Sequence, residues 1–145
     1  FDTNKYNYLS NTYPLPCTFP DGSDIEIFDF RTLRYTNENV ILPSDKEHVT
    51  KYMWKSKKFK CKRIDNFKNL ANYRYTIDTL EDFKLFKSII NKYPTDYLNI
   101  SMNKIINFID KNPILVKYQK KLVRNFGWKS SLNKDKKYKK KWLNK

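Results

Sequence analysis

Tyr73-Arg74-Tyr75-Thr76-Ile77-Asp78-Thr79-Leu80-Glu81-Asp82-Phe83 decides how this chain is read, because it runs from a strand-like segment into a helix start with a carboxylate at the junction. Tyr73 to Ile77 is β-branched and aromatic, the composition of a strand. Thr79, followed three residues later by Asp82, supplies a helix with a side-chain cap. Phe83, Phe86, Ile89 or Ile90, and Tyr93 then recur at helical spacing as one apolar stripe. In open α/β sheets ligands bind beyond the carboxyl ends of the strands, which is where Asp78 falls. Thr79 is available as the cap, so Asp78 is free to offer hard oxygens to a ligand such as Mg²⁺ on a phosphate.

Outward from this stretch the chain alternates strand-like and helix-like segments with short connections, the pattern of an α/β layer structure. Tyr6 to Ser10 reads as a short strand, followed by a loop bearing Pro14, Pro16 and Pro20. Asp24 to Phe28 alternates polar and apolar residues over a strand's length. Asp29 to Val40 reads as a helix burying Phe30 and Leu33. Ser44-Asp45-Lys46-Glu47 has capping-box spacing, and Val49, Tyr52 and Met53 follow at helical intervals, which predicts one helix over 45–55. Lys58 to Arg63 alternates as a half-exposed strand does. Beyond Pro94 the spacing predicts two amphipathic helices, 102–111 and 113–125, ending near Gly127. The expected organisation is an α/β body over 1–94, a helical extension over 95–132 and a disordered Lys-rich tail over 133–145.

The length of 145 residues and 39% hydrophobic content suit one modest domain with a real core. No run of about eighteen apolar residues and no charged-then-apolar leader is present, so the expectation is a cytoplasmic protein without a membrane span. Cys17 and Cys61 form no Cys-x-x-Cys, and His48 is the single histidine, which excludes a His-based zinc cluster and favours reduced thiols. The net charge of +15 is unevenly spread: residues 1–50 hold four Lys/Arg against eight Asp/Glu. Much of the positive excess lies in the terminal lysine run. Abundant Asn, Lys, Ile and Tyr with two Gly reads as a compositional bias, which explains the basicity without a polyanionic partner.

Two further constellations carry candidate chemistry. Pro20-Asp21-Gly22 is ordinary turn chemistry, but Asp24 and Glu26 are two apart on the strand that follows, which places two carboxylates on one face. That pair is either a ligand contact or a solvated strand face. In Glu47-His48-Val49-Thr50, Glu47 closes the capping box and His48 falls in the first turn of the helix. The dipole there suits a neutral imidazole, either structural or facing a ligand oxygen.

The three segments, in this order and spacing, resemble the cytidylyltransferases related to spore coat polysaccharide biosynthesis proteins. Members typically read Thr-Phe-Pro-Asp-Gly-Leu-Asp-Val-Glu-Val-Phe, then Glu-His-Val-Thr-Pro-Tyr, then Arg-x-Thr-Val-Asp-x-Pro-Glu-Asp-Leu. This chain offers close counterparts of all three within a matched region from about Tyr6 to Tyr93, with Ser23 in place of the usual Leu, and Lys51 and Leu80 each in place of a usual Pro. Asn107 to Pro113 and Arg124 to Trp128 resemble an extension carried by some members. The resemblance implies the C-terminal part of a nucleotide-diphospho-sugar transferase-like, Rossmann-like three-layer fold followed by a short helical appendage. The implied activity is that of the CMP-KDO and CMP-sialic acid synthetases, which make a CMP-sugar from CTP and release pyrophosphate. By the same resemblance Asp78 is the Mg²⁺ ligand and a catalytic residue with His48. Asp21, Gly22, Asp24, Glu26, Glu47 and Arg74 bind substrate, and the protein is a homodimer.

The family's Gly-, Arg-, Ser- and Lys-bearing nucleotide loop has no counterpart here, where Gly22 and Gly127 are the only glycines. Because the chain opens on Phe1, it is expected to be the C-terminal half of such an enzyme, inactive alone. Two rival expectations are a basic nucleic-acid-binding module using Trp128, Tyr138 and Trp142 as stacking groups, and a non-catalytic sugar-binding or dimerisation remnant.

Overall fold

In the computed structural model, residues 2, 4–121 and 126–142 are described, with side chains among 126–130 and 140–142 outside the description. In chain order the elements are β1 (Tyr8–Ser10), β2 (Glu26–Phe28), α1 (Phe30–Asn39), α2 (Pro43–Glu47), α3 (Lys51–Lys55), β3 (Cys61–Arg63), α4 (Leu80–Lys92), α5 (Met102–Asp110), α6 (Pro113–Gln119) and α7 (Phe126–Trp142). They fall into two compact units. The first comprises Phe1–Cys17, Ile25–Asp65 and Asn125–Lys145, and the second Thr18–Asp24 and Asn66–Arg124. These boundaries cut across the 1–94, 95–132 and 133–145 division read from sequence.

The first unit is built on a three-stranded sheet of order β2-β1-β3, antiparallel between β1 and β2 and parallel between β1 and β3. Tyr8 pairs with Phe28 on one side and Cys61 on the other, and its side chain is fully buried. Burial raises the Tyr8 phenol above its usual range, reinforced by the hydrogen bond its hydroxyl donates to Glu26 Oε1 at 2.7 Å. Ser10 ends the central strand, its Oγ accepting from the backbone of Thr12 and Tyr13. Tyr13 then stacks on Trp54 with ring centroids 5.0 Å apart. Asp29 caps α1 by accepting from the Thr32 N–H at 2.7 Å. The buried face of α1 carries Thr32 and Thr36 and leaves Phe30 73% exposed, a rotation from the expected Phe30 and Leu33 face.

The expected helix over 45–55 is broken. α2 ends at Glu47, His48 is its C-cap, and Val49 adopts a positive φ of 47° before α3 begins. The capping box fails because Ser44 lies inside α2, where its N–H and hydroxyl donate to Asp135 Oδ1 and Oδ2 at 2.9 and 2.5 Å. Lys51, 3% exposed, completes this knot. It donates to Ser44 Oγ and pairs with Asp45 Oδ1 at 2.6 Å and Asp135 Oδ2 at 3.5 Å. Asp135 thus anchors α7, so the lysine-rich segment expected to be disordered is helical through Trp142.

The second unit is helical around Leu85, Ile89, Ile109 and Leu115, with Tyr73, Tyr75, Tyr93 and Phe108 packed at the edge. Thr79 and Asp82 form the expected capping box of α4. The stripe is displaced, since Leu85 and Ile89 are buried while Phe83 and Phe86 remain 50% and 39% exposed. Ser101 caps α5, and Asn112 with Pro113 opens α6. Tyr73 to Ile77 is extended but contributes a single bridge, Arg74 to Asp21. A strand needs a hydrogen-bonding neighbour along its length, and among the described residues the short Thr18–Asp24 segment supplies one pair. Ile109 is fully buried, so Ile109→Ala is expected to cost about 2–5 kcal/mol in urea unfolding, through lost transfer energy and the cavity left behind.

Candidate functional site

The bridge between Asp21 and Arg74 places a buried charge. The Asp21 N–H donates to the Tyr73 carbonyl and the Tyr75 N–H to the Asp21 carbonyl, both at 2.9 Å. Along the other edge, Gln119 imitates a neighbouring strand. Its Oε1 accepts from the Arg74 N–H and its Nε2 donates to the Arg74 carbonyl, each at 2.8 Å. With its backbone clamped, Arg74 is 5% exposed and meets three carboxylates. Nη1 donates to Asp21 Oδ2 at 2.5 Å and Nη2 to Asp78 Oδ2 at 2.5 Å, while Asp82 Oδ2 lies 3.2 Å from Nη2. Burial disfavours the guanidinium, but the hydrogen bonds to Asp82, Asp78 and Asp21 outweigh it and hold the group above its ordinary value. For Asp82, burial is likewise overcome, first by Arg74 and then by the Asp78 N–H, so its carboxyl lies below the usual range.

One guanidinium among three carboxylates leaves the cluster net negative, and the surplus is unevenly exposed. The Asp21 and Asp82 side chains are buried, whereas that of Asp78 is 55% exposed. Asp78 Oδ2 is occupied by Arg74 and the Thr76 hydroxyl, and Oδ1 has no hydrogen-bond partner among the described residues. That oxygen is a hard donor of the kind Mg²⁺ takes. No group of three or more His, Cys, Asp or Glu among the described residues could hold a metal by itself. Asp78 thus offers one hard oxygen ligand and does not form a metal site by itself.

Gly22 forms the turn that brings Asp21 to the bridge. Its φ is +105°, and a Cβ would sit 3.0 Å from the Thr76 nitrogen and 3.1 Å from the Tyr75 carbonyl carbon, both backbone atoms. Asp24 Oδ2 accepts from the Gly22 N–H at 3.1 Å. The strand expected from Asp24 starts at Glu26, so the two carboxylates do not share a strand face.

Asp21, Gly22, Asp24, Arg74 and Asp78 thus lie in one unit, and Glu26, Glu47 and His48 belong to the other. Glu26 accepts from Tyr8, and Glu47 pairs with Lys134 at 2.9 Å, which holds its carboxyl below the usual range. His48 Nε2 lies 2.9 Å from Ser131 Oγ. As the C-cap of α2, His48 does not meet the N-terminal dipole expected from sequence. Two contributors to the Arg74 cluster lie outside the sequence reading, Gln119 and the second role of Asp82; in the first unit, so does the part played by Asp135. The lone Asp135 in a lysine run was the available signal for the last, since an acid held among so many cations has partners to bind. Arg124, Asn125 and the side chains of Trp128 and Trp142 lie outside the described residues.

The mixed α/β fold is that of the nucleotidyltransferase-like proteins. It is similar to a cytidylyltransferase from Leptospira borgpetersenii serovar Hardjo-bovis, with a TM-score of 0.71 and 30% identity, covering 86% of this chain and 50% of that one. In sequence the chain is 33% identical over 113 residues to an uncharacterized protein of Methanocaldococcus jannaschii, covering 76% of this chain and 44% of the relative. It thus spans about half the length of the proteins it matches. No family model matches. No helix among the described residues is long and apolar enough to cross a membrane.

Removing the cation from this cluster leaves buried carboxylates uncompensated, so Arg74→Met is expected to cost about 3–5 kcal/mol in denaturant unfolding. Because the folded Asp82 carboxyl lies below its unfolded value, its contribution is complete above the ordinary carboxylate range near pH 4 and is lost as pH falls through the folded pKa. Asp82→Asn is expected to flatten that acid limb in stability measured against pH. Gly22→Ala is expected to lower stability by about 1–3 kcal/mol, from the positive φ and the backbone contact.

Proposed function

We propose that this chain is the sugar-side half of a cytidylyltransferase that couples CTP to a sugar, forming a CMP-sugar and pyrophosphate for surface polysaccharide or glycan synthesis. The observation carrying this reading is Asp78: a half-exposed carboxylate with one oxygen committed to a buried Arg74 and the other open. The similarity to a cytidylyltransferase over 86% of the chain supports the nucleotide class. Asp78 would be the residue that holds Mg²⁺, and the chemistry the ion would supply is neutralisation of phosphate charge.

The chain's own residues position. Arg74 holds Asp78 in one rotamer through the 2.5 Å bond, and Asp21 and Asp82 fix Arg74 in turn, so Oδ1 is presented with little freedom to lose. In this reading the Gly22 turn and Asp24, in the same unit as Asp78, border the sugar. With two glycines and no phosphate-cradling loop in these 145 residues, the nucleotide's phosphates are held by the part of the protein that its longer relatives have in addition. The complete protein pairs as a homodimer in this reading.

The test is pyrophosphate release from CTP with an acidic or deoxy-sugar, using the full-length protein. Asp78→Asn is expected to lower kcat by about 10²-fold or more while leaving the unfolding midpoint nearly unchanged, because the residue is half-exposed and Arg74 keeps two carboxylates. Full activity in that variant would refute the metal role, and an upstream sequence without a phosphate-binding loop would refute the assignment.

A further inference from the structure

Two hollows adjoin in the second unit, between residues 66–74 and helices α5 and α6. One holds about 670 Å³ and the other about 610 Å³. They share Leu70, Tyr73 and Asp110, which joins them into one trough. Each hollow has the size of a small-molecule site, roughly 300–1,000 Å³.

The lining specifies the chemistry of an occupant. Leu70, with the buried Ile106 and Ile109, gives an apolar floor. Around it stand the side-chain amides of Asn72, Asn103 and Asn107, exposed and without a hydrogen-bond partner among the described residues. Each amide offers two donors and an acceptor, a set that matches the hydroxyls of a sugar, which both donate and accept. At the centre, the Tyr73 hydroxyl donates to Asp110 Oδ1 at 2.8 Å. This fixes the phenol with its own oxygen free to accept, and leaves Asp110 Oδ2 open. Phe67 is 100% exposed at the rim, a ring face on which the C–H side of a pyranose can lie.

Charge narrows the class. Asp110 is the carboxylate in the stretch common to both hollows, and it disfavours a phosphate or a sugar acid there. Arg74 and Asp21 line the larger hollow, but they are paired with each other. Lys68 and Lys120 each stand in one hollow only. We propose that this trough binds a neutral saccharide of more than one residue, with Asp110, Tyr73 and the asparagine amides engaging its hydroxyls. The inference rests on the trough itself and not on nucleotidyl transfer at Asp78.

Saturation-transfer NMR and titration calorimetry on the whole protein test it, with maltotriose, cellotriose and chitotriose as neutral probes and trigalacturonate and inorganic phosphate as anionic ones. Transfer to at least one neutral trisaccharide is expected, weakened about tenfold or more by Asp110→Ala combined with Asn107→Ala. Both residues are exposed, so the unfolding midpoint should hold. Asn103→Ala, removing a single exposed amide, should weaken binding in the same direction. No transfer from any neutral probe, unchanged affinity in these variants, or tighter binding of an anionic probe in the trough would each overturn the proposal. Trisaccharide binding that persists when Asp78→Asn abolishes pyrophosphate release would support the trough as a separate site.

Discussion

A guanidinium taken out of water and divided among three carboxylates is the interaction on which the second unit depends. Arg74 could not be buried alone, since desolvating a cation costs far more than a single hydrogen bond returns. Here Asp21, 53 residues upstream, Asp78 and Asp82 meet it together, and Gln119 clamps its backbone from a third segment. The same atoms therefore join the Gly22 turn, the extended 73–77 segment, the α4 N-terminus and the end of α6. Asp82 also closes the capping box, accepting from the Asp78 and Thr79 N–H groups at 3.0 Å. Fold and candidate site share one set of side chains, with Asp78 as the member that still faces outward.

The first unit uses a cation in a comparable way. Lys51 is buried between Asp45 and Asp135, with Ser44 bonded to both Lys51 and Asp135. This knot interrupts α2 and α3 where a single helix was expected, and it gives the lysine-rich C-terminal helix an anchor. Strong net charge along that helix would otherwise oppose its ordering.

What was legible from residue order was local. The Thr79–Asp82 box and the Pro20-Asp21-Gly22 turn operate within about four residues, where chain connectivity brings the partners together. The alternation of strand-like and helix-like segments identified the α/β class. Less legible were the faces: Phe83 and Phe86 fit a helical stripe as well as Leu85 and Ile89 do, and periodicity alone does not tell which of two adjacent arcs a neighbour covers. His48 was assigned to a helix start because the competing partners of Ser44 lie 7 and 91 residues away.

By itself the sequence determined the Thr79–Asp82 cap, the glycine turn and the presence of a carboxylate just before α4. Only the tertiary structure decided that this carboxylate shares a buried arginine with Asp21 and Asp82, and that Glu26, Glu47 and His48 belong to a different unit. The reason is one of range. Caps and turns follow from dihedrals and bonds among near neighbours, whereas the charge of a buried ion must be matched by whichever groups the fold delivers.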